Sequence, residues 1–423
     1  MQEAFLHYLW LHKKMPITKL KTTLGLPISI INSGQHNALS GPDFFAAQVK
    51  IDNQHWAGNI EIHIKSSDWY VHNHETDPAY YNVILHVVWD HDTDVFRQDN
   101  TAIPTLELRE YIDTTLLANY YKLFSKKQTW INCEKAFHEP TQFLINNWLE
   151  RLYIERLERK ATTISTLLKQ SKNNWEAVLF IMLAKNFGLN INGEAFYTLA
   201  QSINFSIIRK LQNNVQQLEA LLMGQGGLLR ANSQEPYENN LFNTYQYLKT
   251  KYNLDNTHVL PVQFFKLRPP NFPTIRLSQL ASIYAQNHGL LSRLIQAKTL
   301  PEFYDIFQVG CTAFWQTHYT FQTPSKASKK MLTKSFINLV IINTVVPITF
   351  SYAKAQGQDN TAEILNVMAQ VPSEKNQIVS RFHTLRPLAK TAAVSQALIQ
   401  LKQHYCVPNK CLECAIGNNL ISK

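Results

Sequence analysis

"GNIEIHIKSSDW", residues 58–69, is the stretch on which the reading of the N-terminal third turns. As a strand it places Asn59, Glu61, His63 and Lys65 on one face and Ile60, Ile62 and Ile64 on the other, because successive side chains point to opposite sides. An amide, an acid, an imidazole and an amine in a row fit two readings. One is a sheet whose second face meets water. The other is the wall of an active site.

The flanks support a sheet. "FFAAQVKI" (44–51) and "HWAGNIEIHIK" (55–65) are separated by "DNQ" and predict a β-hairpin. "LPISII" (26–31) is short and β-branched and predicts a strand, whereas "NSGQHNALSGPDF" (32–44) is turn chemistry. "NVILHVVW" (82–89) is apolar throughout, as a central strand buried on both faces should be. "AIPTLEL" (102–108) predicts a further strand. Residues 1–13 have helical periodicity with Phe5, Leu9 and Trp10 as core candidates, and 113–126 predicts a helix capped by Asp113.

From about residue 141 the texture changes to long helical segments: 141–170, 175–187, 207–223, 237–252, 277–296 and 331–356. No strand cluster is legible there. "GQGGLL" (224–229) reads as a flexible turn. The run "FINLVIINTVVPITFSYA" (336–353) contains two asparagines and a proline and reads as a buried helix, not a membrane span. At 423 residues two to three domains are expected. The sequence divides into an α/β domain (1–130), a larger all-helical domain (131–400) and a cysteine-bearing tail (401–423), an α+β protein overall. "MQEAFLHYLWLHKK" carries Glu3 early and lacks a small-residue cleavage site, so a cytoplasmic protein is expected.

Charge is unevenly spread. Residues 1–140 hold 12 Lys+Arg against 16 Asp+Glu and ten of the fifteen histidines; residues 141–423 hold 29 against 15. A basic body beside an acidic, His-rich site suits a polyanion met at a metal site; a merely basic surface accounts for the charge equally well.

Four groups of residues could carry chemistry. Asp43, in "GPDF", enters one hairpin strand while Glu61 lies on its partner. Strands about 4.8 Å apart let two such carboxylates share one ion, and Mg²⁺ or Mn²⁺ suits carboxylate and phosphate oxygens. His63 or Lys65 would then orient or deprotonate a water. Second is the histidine set His36, His63, His72, His74, His86 and His91. There "HNH" (72–74) could ligate zinc with His63 and Asp68, His36 could help bind phosphate, and His86 reads as a satisfied core residue. Third is "YCVPNKCLEC" (405–414), Cys-x4-Cys-x2-Cys. Cys406, Cys411 and Cys414 need a fourth ligand, Cys133 or His404, to hold zinc, and the thiolate Cys133 to hold a 4Fe–4S cluster. Five scattered cysteines argue against a disulfide framework, and Cys311 reads as a buried apolar side chain. Fourth is "KLRPPNFPTIRLSQLA" (266–281), where Arg268 and Arg276 flank a Pro-rich turn and could meet phosphate. A structural elbow is the alternative. "SKASKKMLTK" (325–334) is a basic run open to the same two readings.

The Pro-Asp, the hairpin and the acid-x-Lys-like strand together resemble the PD-(D/E)xK nuclease superfamily. The resemblance implies a restriction-endonuclease-like α/β domain with a mixed sheet, metal ligands at Asp43 and Glu61, and Glu3 as an extra acid on the first helix. His63 occupies the lysine slot, with Lys65 one step further along the face. The polar segment 66–81 lacks the long helix expected of the superfamily. Some of its nucleases staple their fold with a cluster held by one distant cysteine and three near the C-terminus; there the lone cysteine precedes the core, whereas Cys133 follows it. At whole-chain level, "GPDF", "WAGNIEIHIKSSDW", "YNVILHVVW", "RPPNFPTIRLSQLA" and "CLECAIG" resemble a family of uncharacterised bacterial proteins classed as a domain of unknown function, a resemblance that implies no catalytic residue. The leading expectation is a metal-dependent nuclease acting on DNA or RNA. The alternatives are a catalytically inactive nucleic-acid-binding or scaffold protein, and a zinc-dependent hydrolase of a small substrate.

Overall fold

The hairpin forms as its pattern predicts. In a computed structural model describing residues 1–125 and 129–423, β3 (Phe44–Ile51) pairs antiparallel with β4 (Gln54–Lys65). The chain divides into two compact units, residues 1–148 with 401–423, and residues 149–400. The C-terminal segment, read from sequence as a separate tail, therefore belongs with the N-terminal unit. By charge the first unit holds 15 Lys+Arg against 17 Asp+Glu, and the second 26 against 14.

The first unit opens with α1 (Glu3–Leu11), then β1 (Ile28–Asn32) and the two-residue β2 (Gln35–His36). After the hairpin come the single-turn α2 (Asp68–Val71), β5 (Val83–Asp90), β6 (Thr105–Glu107) and α3 (Thr114–Phe124). The strands lie in the order β1-β3-β4-β5-β6, with β2 also on β3. Pairing is antiparallel from β1 to β4 and parallel from β4 to β6, so the sheet is mixed. Asp113 caps α3, its side chain accepting the amides of Thr115 and Leu116. The last residue of that predicted helix, Lys126, lies outside the described residues. Val83–Val88 are all buried, as expected for the central strand β5.

The main core joins Phe5, Leu6, Leu9 and Trp10 of α1 to Ile60, Ile62, Leu85 and Val87 of the sheet, with Leu412 and Ile421 of the C-terminal segment packed into it. A second cluster gathers Trp69, Tyr80, Val83, Val95 and Ile103. Glu61 and His63, on the face that alternation left open to water, are 4% and 1% exposed. Between Ile60 and His63 both faces of β4 are therefore covered, and the solvated-face reading is overturned.

Two register shifts were not legible in the sequence. Phe44 pairs with Ile60 but Ala47 pairs with Gly58, so two residues of β3 oppose one of β4. Ala46 takes up the extra length at φ 53°, its amide 3.4 Å from Asn59 Oδ1. On the other side, Asn59 pairs with Val83 but Ile60 with Leu85. Bulges of this kind re-aim side chains, and these two lie beside the charged residues.

The second unit is helical, with corrections. Residues 175–187 form one helix as predicted, but 207–223 is two helices, Phe205–Leu211 and Val215–Gln225, separated where Asn214 caps the second. Leu189–Gln201 is a helix that the sequence reading passed over. The predicted helix 277–296 divides into Pro273–Gln286 and Leu290–Gln296, with Gly289 at φ +66° between them. A short ribbon, His318–Thr320 with Thr323–Pro324, interrupts the all-helical expectation. Gly224 is inside a helix, because a Cβ there would meet the Tyr245 ring at 2.1 Å; it is a packing glycine. Lys334–Ala355 is long and apolar enough to cross a membrane, yet 72% of its most apolar window is buried in the protein. Its π-turn at Ile341–Val345 precedes Pro347, and the Ile342 carbonyl accepts from Lys160 Nζ at 3.3 Å.

Gly58 sits where β4 closes on the second bulge. A Cβ there would stand 2.5 Å from Ile84 Cγ2 and 2.6 Å from the Asn82 carbonyl. Gly58→Ala is expected to cost about 1–3 kcal/mol in urea unfolding. An unchanged midpoint would show that the bulge yields without strain.

Candidate metal centre

The two register shifts determine what meets Glu61. On β3, the extra residue puts Asp43 opposite Glu61. The Asp43 amide donates to Glu61 Oε2 at 3.1 Å, and the Ile62 amide donates to Asp43 Oδ2 at 2.9 Å. On β5, the extra residue brings His86 into register with Glu61. His63, two residues along β4, turns its Nδ1 to His86 Nε2 at 2.8 Å. That bond occupies one ring nitrogen and leaves His63 Nε2 facing the carboxylate, 3.4 Å from Glu61 Oε1.

The third side comes from the segment between β4 and β5. α2 ends at His72, and Asn73 takes a left-handed conformation at φ 58°, a conformation asparagine tolerates. The chain turns there, so that His72 and His74 both reach inward. His72 Nδ1 lies 3.2 Å from His63 Nε2, and His74 Nε2 lies 3.3 Å from Glu61 Oε1. His74 stacks on Tyr80 with ring centroids 3.7 Å apart. One ligand atom each from His63, His72 and His74 falls within 4.8 Å of the other two.

α1 adds a fourth side. Glu3 and His7, one turn apart, share a helix face. His7 Nε2 is 3.3 Å from Asp43 Oδ2, and its Nδ1 is 3.3 Å from His36 Nε2. Glu3 is close enough that the Asp43 charge adds to burial in raising its pKa.

Electrostatics follow from burial. Desolvation, then repulsion from Asp43, pushes Glu61 up to about 9. Desolvation, then the His74 and His72 rings, pulls His63 down to about 3, and burial also lowers His74 and holds His86 well below the usual imidazole range. Of the three clustered imidazoles, His63 and His74 are thus held neutral, the ligating form. Burial lowers His7 most, but the Asp43 bond together with the charges of Asp43, Glu3 and Glu61 outweighs it, and the His7 pKa is raised.

Does this set fit an ion? Ligands at about 2.0–2.1 Å around a tetrahedral zinc stand about 3.3 Å apart. Three contacts, His63–Glu61, His74–Glu61 and His63–His72, run from 3.2 to 3.4 Å, and the three imidazoles as a group lie within 4.8 Å. Imidazole-rich sets suit first-row transition ions, whereas Mg²⁺ favours oxygen. The His63–His86 bond is the outer-shell support that ligating histidines ordinarily have. The donors present fit zinc or a similar ion.

Among the residues singled out in the sequence, the structure gathers Asp43, Glu61, His63, His72, His74, Glu3 and His36. Others stand elsewhere. Lys65 is exposed at the end of β4 and pairs with neither carboxylate; only its amide is engaged, by Asp68 Oδ2 at 2.9 Å. Asp68 is thereby used on backbone, and Glu61 takes the position proposed for it among the histidines. Arg276 is 7% exposed, bonds Gln279 and Asn271, and stacks 3.6 Å over Phe336. It is an internal strut of the second unit, in keeping with the structural-elbow reading. Arg268 remains exposed. His7 was missed; its signal was its position four residues after Glu3.

Fold and site together define an α+β protein with a mixed sheet and a histidine–carboxylate centre in which Glu61, His63 and His74 are buried and His72 stands at the exposed edge. The chain belongs to the family described as protein of unknown function (DUF2851), which matches residues 3–377. No curated protein and no solved structure matches it.

A protonated Glu61 must lose its proton to an incoming cation. Zinc affinity is therefore expected to rise with pH up to about 9, with about one proton released per ion, measured by calorimetry in buffers of differing ionisation enthalpy. Glu61→Gln should abolish the release. Without metal, the raised Glu61 pKa makes stability fall as pH rises from 4.5 to about 9, while the lowered His63 pKa makes it rise from about 3 to 6.5. Above pH 6.5, of these two, only the falling Glu61 contribution operates, and Glu61→Gln should flatten it.

Proposed function

We propose that this protein is a metal-dependent hydrolase of phosphodiester bonds in a nucleic acid. The observation that carries the reading is the convergence of His63, His72 and His74 within 4.8 Å of one another, with Glu61 Oε1 3.4 Å from His63 and 3.3 Å from His74. These residues would hold one transition ion. When bound, such an ion supplies a water of lowered pKa and polarises a phosphoryl oxygen.

The chain's own groups supply the rest. In the Asp43–His7 pair, next to Glu61, the buried His7 Nε2 would hold Asp43 in orientation, and the Asp43 carboxylate, 20% exposed, would be the group that takes a proton from water. His36, bonded to His7, stands at the exposed rim where a phosphate oxygen would enter. His86 holds the His63 ring in orientation from beneath. Apolar walls from Trp69 and Tyr80 lower the local dielectric and strengthen each of these interactions. On this reading Asp43 and Glu61 would stand for the acids of the nuclease-like pattern, with His63 where the superfamily carries lysine.

The nucleic-acid assignment rests on the second unit, with 26 basic against 14 acidic residues, and on exposed Lys266, Arg268, Lys326 and Lys329. Backbone contact of this kind makes binding steeply salt-dependent.

The test is to incubate the full chain, loaded in turn with zinc, manganese and magnesium, with labelled single- and double-stranded DNA and RNA. Cleavage is expected with zinc or manganese, reduced roughly 100-fold or more by Glu61→Gln and by His74→Ala. Salt-sensitive binding without cleavage under any ion would overturn the hydrolase. Turnover of a small phosphodiester with no attack on polynucleotides would overturn the substrate class alone.

A further inference from the structure

Away from the histidine centre, the first unit brings together four of the five cysteines. Cys133, Cys406, Cys411 and Cys414 line one cavity of about 20 Å³, walled by Leu123, Ile131, Phe137 and Ile416. None is in a disulfide. Cys133 lies 273 residues before Cys406 in the chain, so the fold, not local sequence, supplies the fourth thiol.

The surroundings are built for sulfur that carries charge. The Ile416 and Gly417 amides donate to the Cys414 sulfur, and Asn132 Nδ2 donates to Cys411 Sγ at 3.5 Å. Gly417 permits this approach, because a Cβ there would stand 2.0 Å from the Cys411 carbonyl. Each sulfur feels its neighbours: Cys406 is affected by Cys133, Cys414 and Cys411 together. Four thiols enclosed by apolar walls are costly to ionise unless a cation compensates them.

The choice of occupant follows from spacing. A lone zinc draws four sulfurs to about 2.3 Å from one point and leaves no free volume between them. The histidine group shows that kind of convergence, with ligand atoms within 4.8 Å of one another. Among the described residues no three of these sulfurs lie within 4.8 Å of one another, although all four line one cavity, whereas Zn–S bonds of about 2.3 Å would set them about 3.8 Å apart. A cluster whose own iron and sulfide fill the centre suits such a ring of thiolates.

We infer that Cys133, Cys406, Cys411 and Cys414 bind a 4Fe–4S cluster that ties the C-terminal segment to the N-terminal unit. That segment also packs Leu412 and Ile421 into the core beneath α1, and Ser422 stands 3.2 Å from the Tyr8 hydroxyl. The cluster thus anchors the layer behind α1, the helix that brings Glu3 and His7 to the metal centre. The inference does not depend on the hydrolase reading.

The experiment is anaerobic purification of the full chain, with reconstitution by ferrous iron and sulfide. About four iron and four sulfide per chain are expected, with broad visible absorbance that bleaches on reduction. Cys133→Ser and Cys411→Ser should each lose the iron, whereas Cys311→Ser should keep it. Should a serine variant fail to fold, cluster removal from the wild-type chain by chelation under oxidising conditions gives the same readout: cysteine-dependent absorbance lost with iron. One zinc per chain at these cysteines, with no iron taken up, would overturn the cluster. Iron retained in both Cys133→Ser and Cys411→Ser would overturn the site.

Discussion

A carboxylate held 4% exposed between two strands, with a second acid, Asp43, opposite it and donating its backbone amide to it, is the constraint on which the first unit depends. Placing Glu61 there costs desolvation that no lysine or arginine repays; its neighbours are Asp43 and neutral imidazoles. Such an arrangement survives because the surrounding sheet over-determines it, through cross-strand bonds on one side and the His63–His86 bond on the other. A cation is the natural compensation. It would turn mutual repulsion among acid and imidazole lone pairs into coordination, which explains why polar groups occupy positions that apolar ones could fill.

The backbone devices around Glu61 serve the same end. Each of its two neighbouring strands carries one extra residue at the level of Asn59. One shift brings Asp43 opposite Glu61 and the other brings His86 beside it. A regular ladder would have presented different residues at both positions. The left-handed Asn73 adds a third irregularity, which turns His72 and His74 inward. These three irregularities lie beside the converging charged groups, next to the apolar core on Ile60, Ile62, Leu85 and Val87.

The cysteine ring and the histidine centre divide the chemistry of this unit between soft and borderline ligands. Each draws one component from far along the chain: Cys133 meets the C-terminal segment, and α1 meets the hairpin and the following turn. The second unit contributes charge. Its Arg276 and Lys330 are consumed internally, Lys330 by the Trp315 and His318 carbonyls, so the basic surface there depends on residues such as Arg268 and Lys329.

By itself the sequence determined the hairpin of residues 44–65, the buried central strand at 83–90, α1, the Asp113 cap and the helical character of the rest. These are local properties, since period-2 and period-3.6 patterns and turn residues act within a few positions. It also marked Asp43, Glu61, His63, His72 and the cysteine triplet as chemical candidates. Tertiary structure alone decided which of them meet. It excluded Lys65 and Asp68, turned Arg276 inward, recruited His7 and His86, and closed Cys133 onto the triplet. Parity in a strand is inverted by a single extra residue, and nothing in "FFAAQVKI" or "NVILHVVW" announces where that residue falls. At the second bulge Gly58 packs against Asn82 and Ile84, residues distant from it in sequence, which is why the site's membership was fixed by the fold.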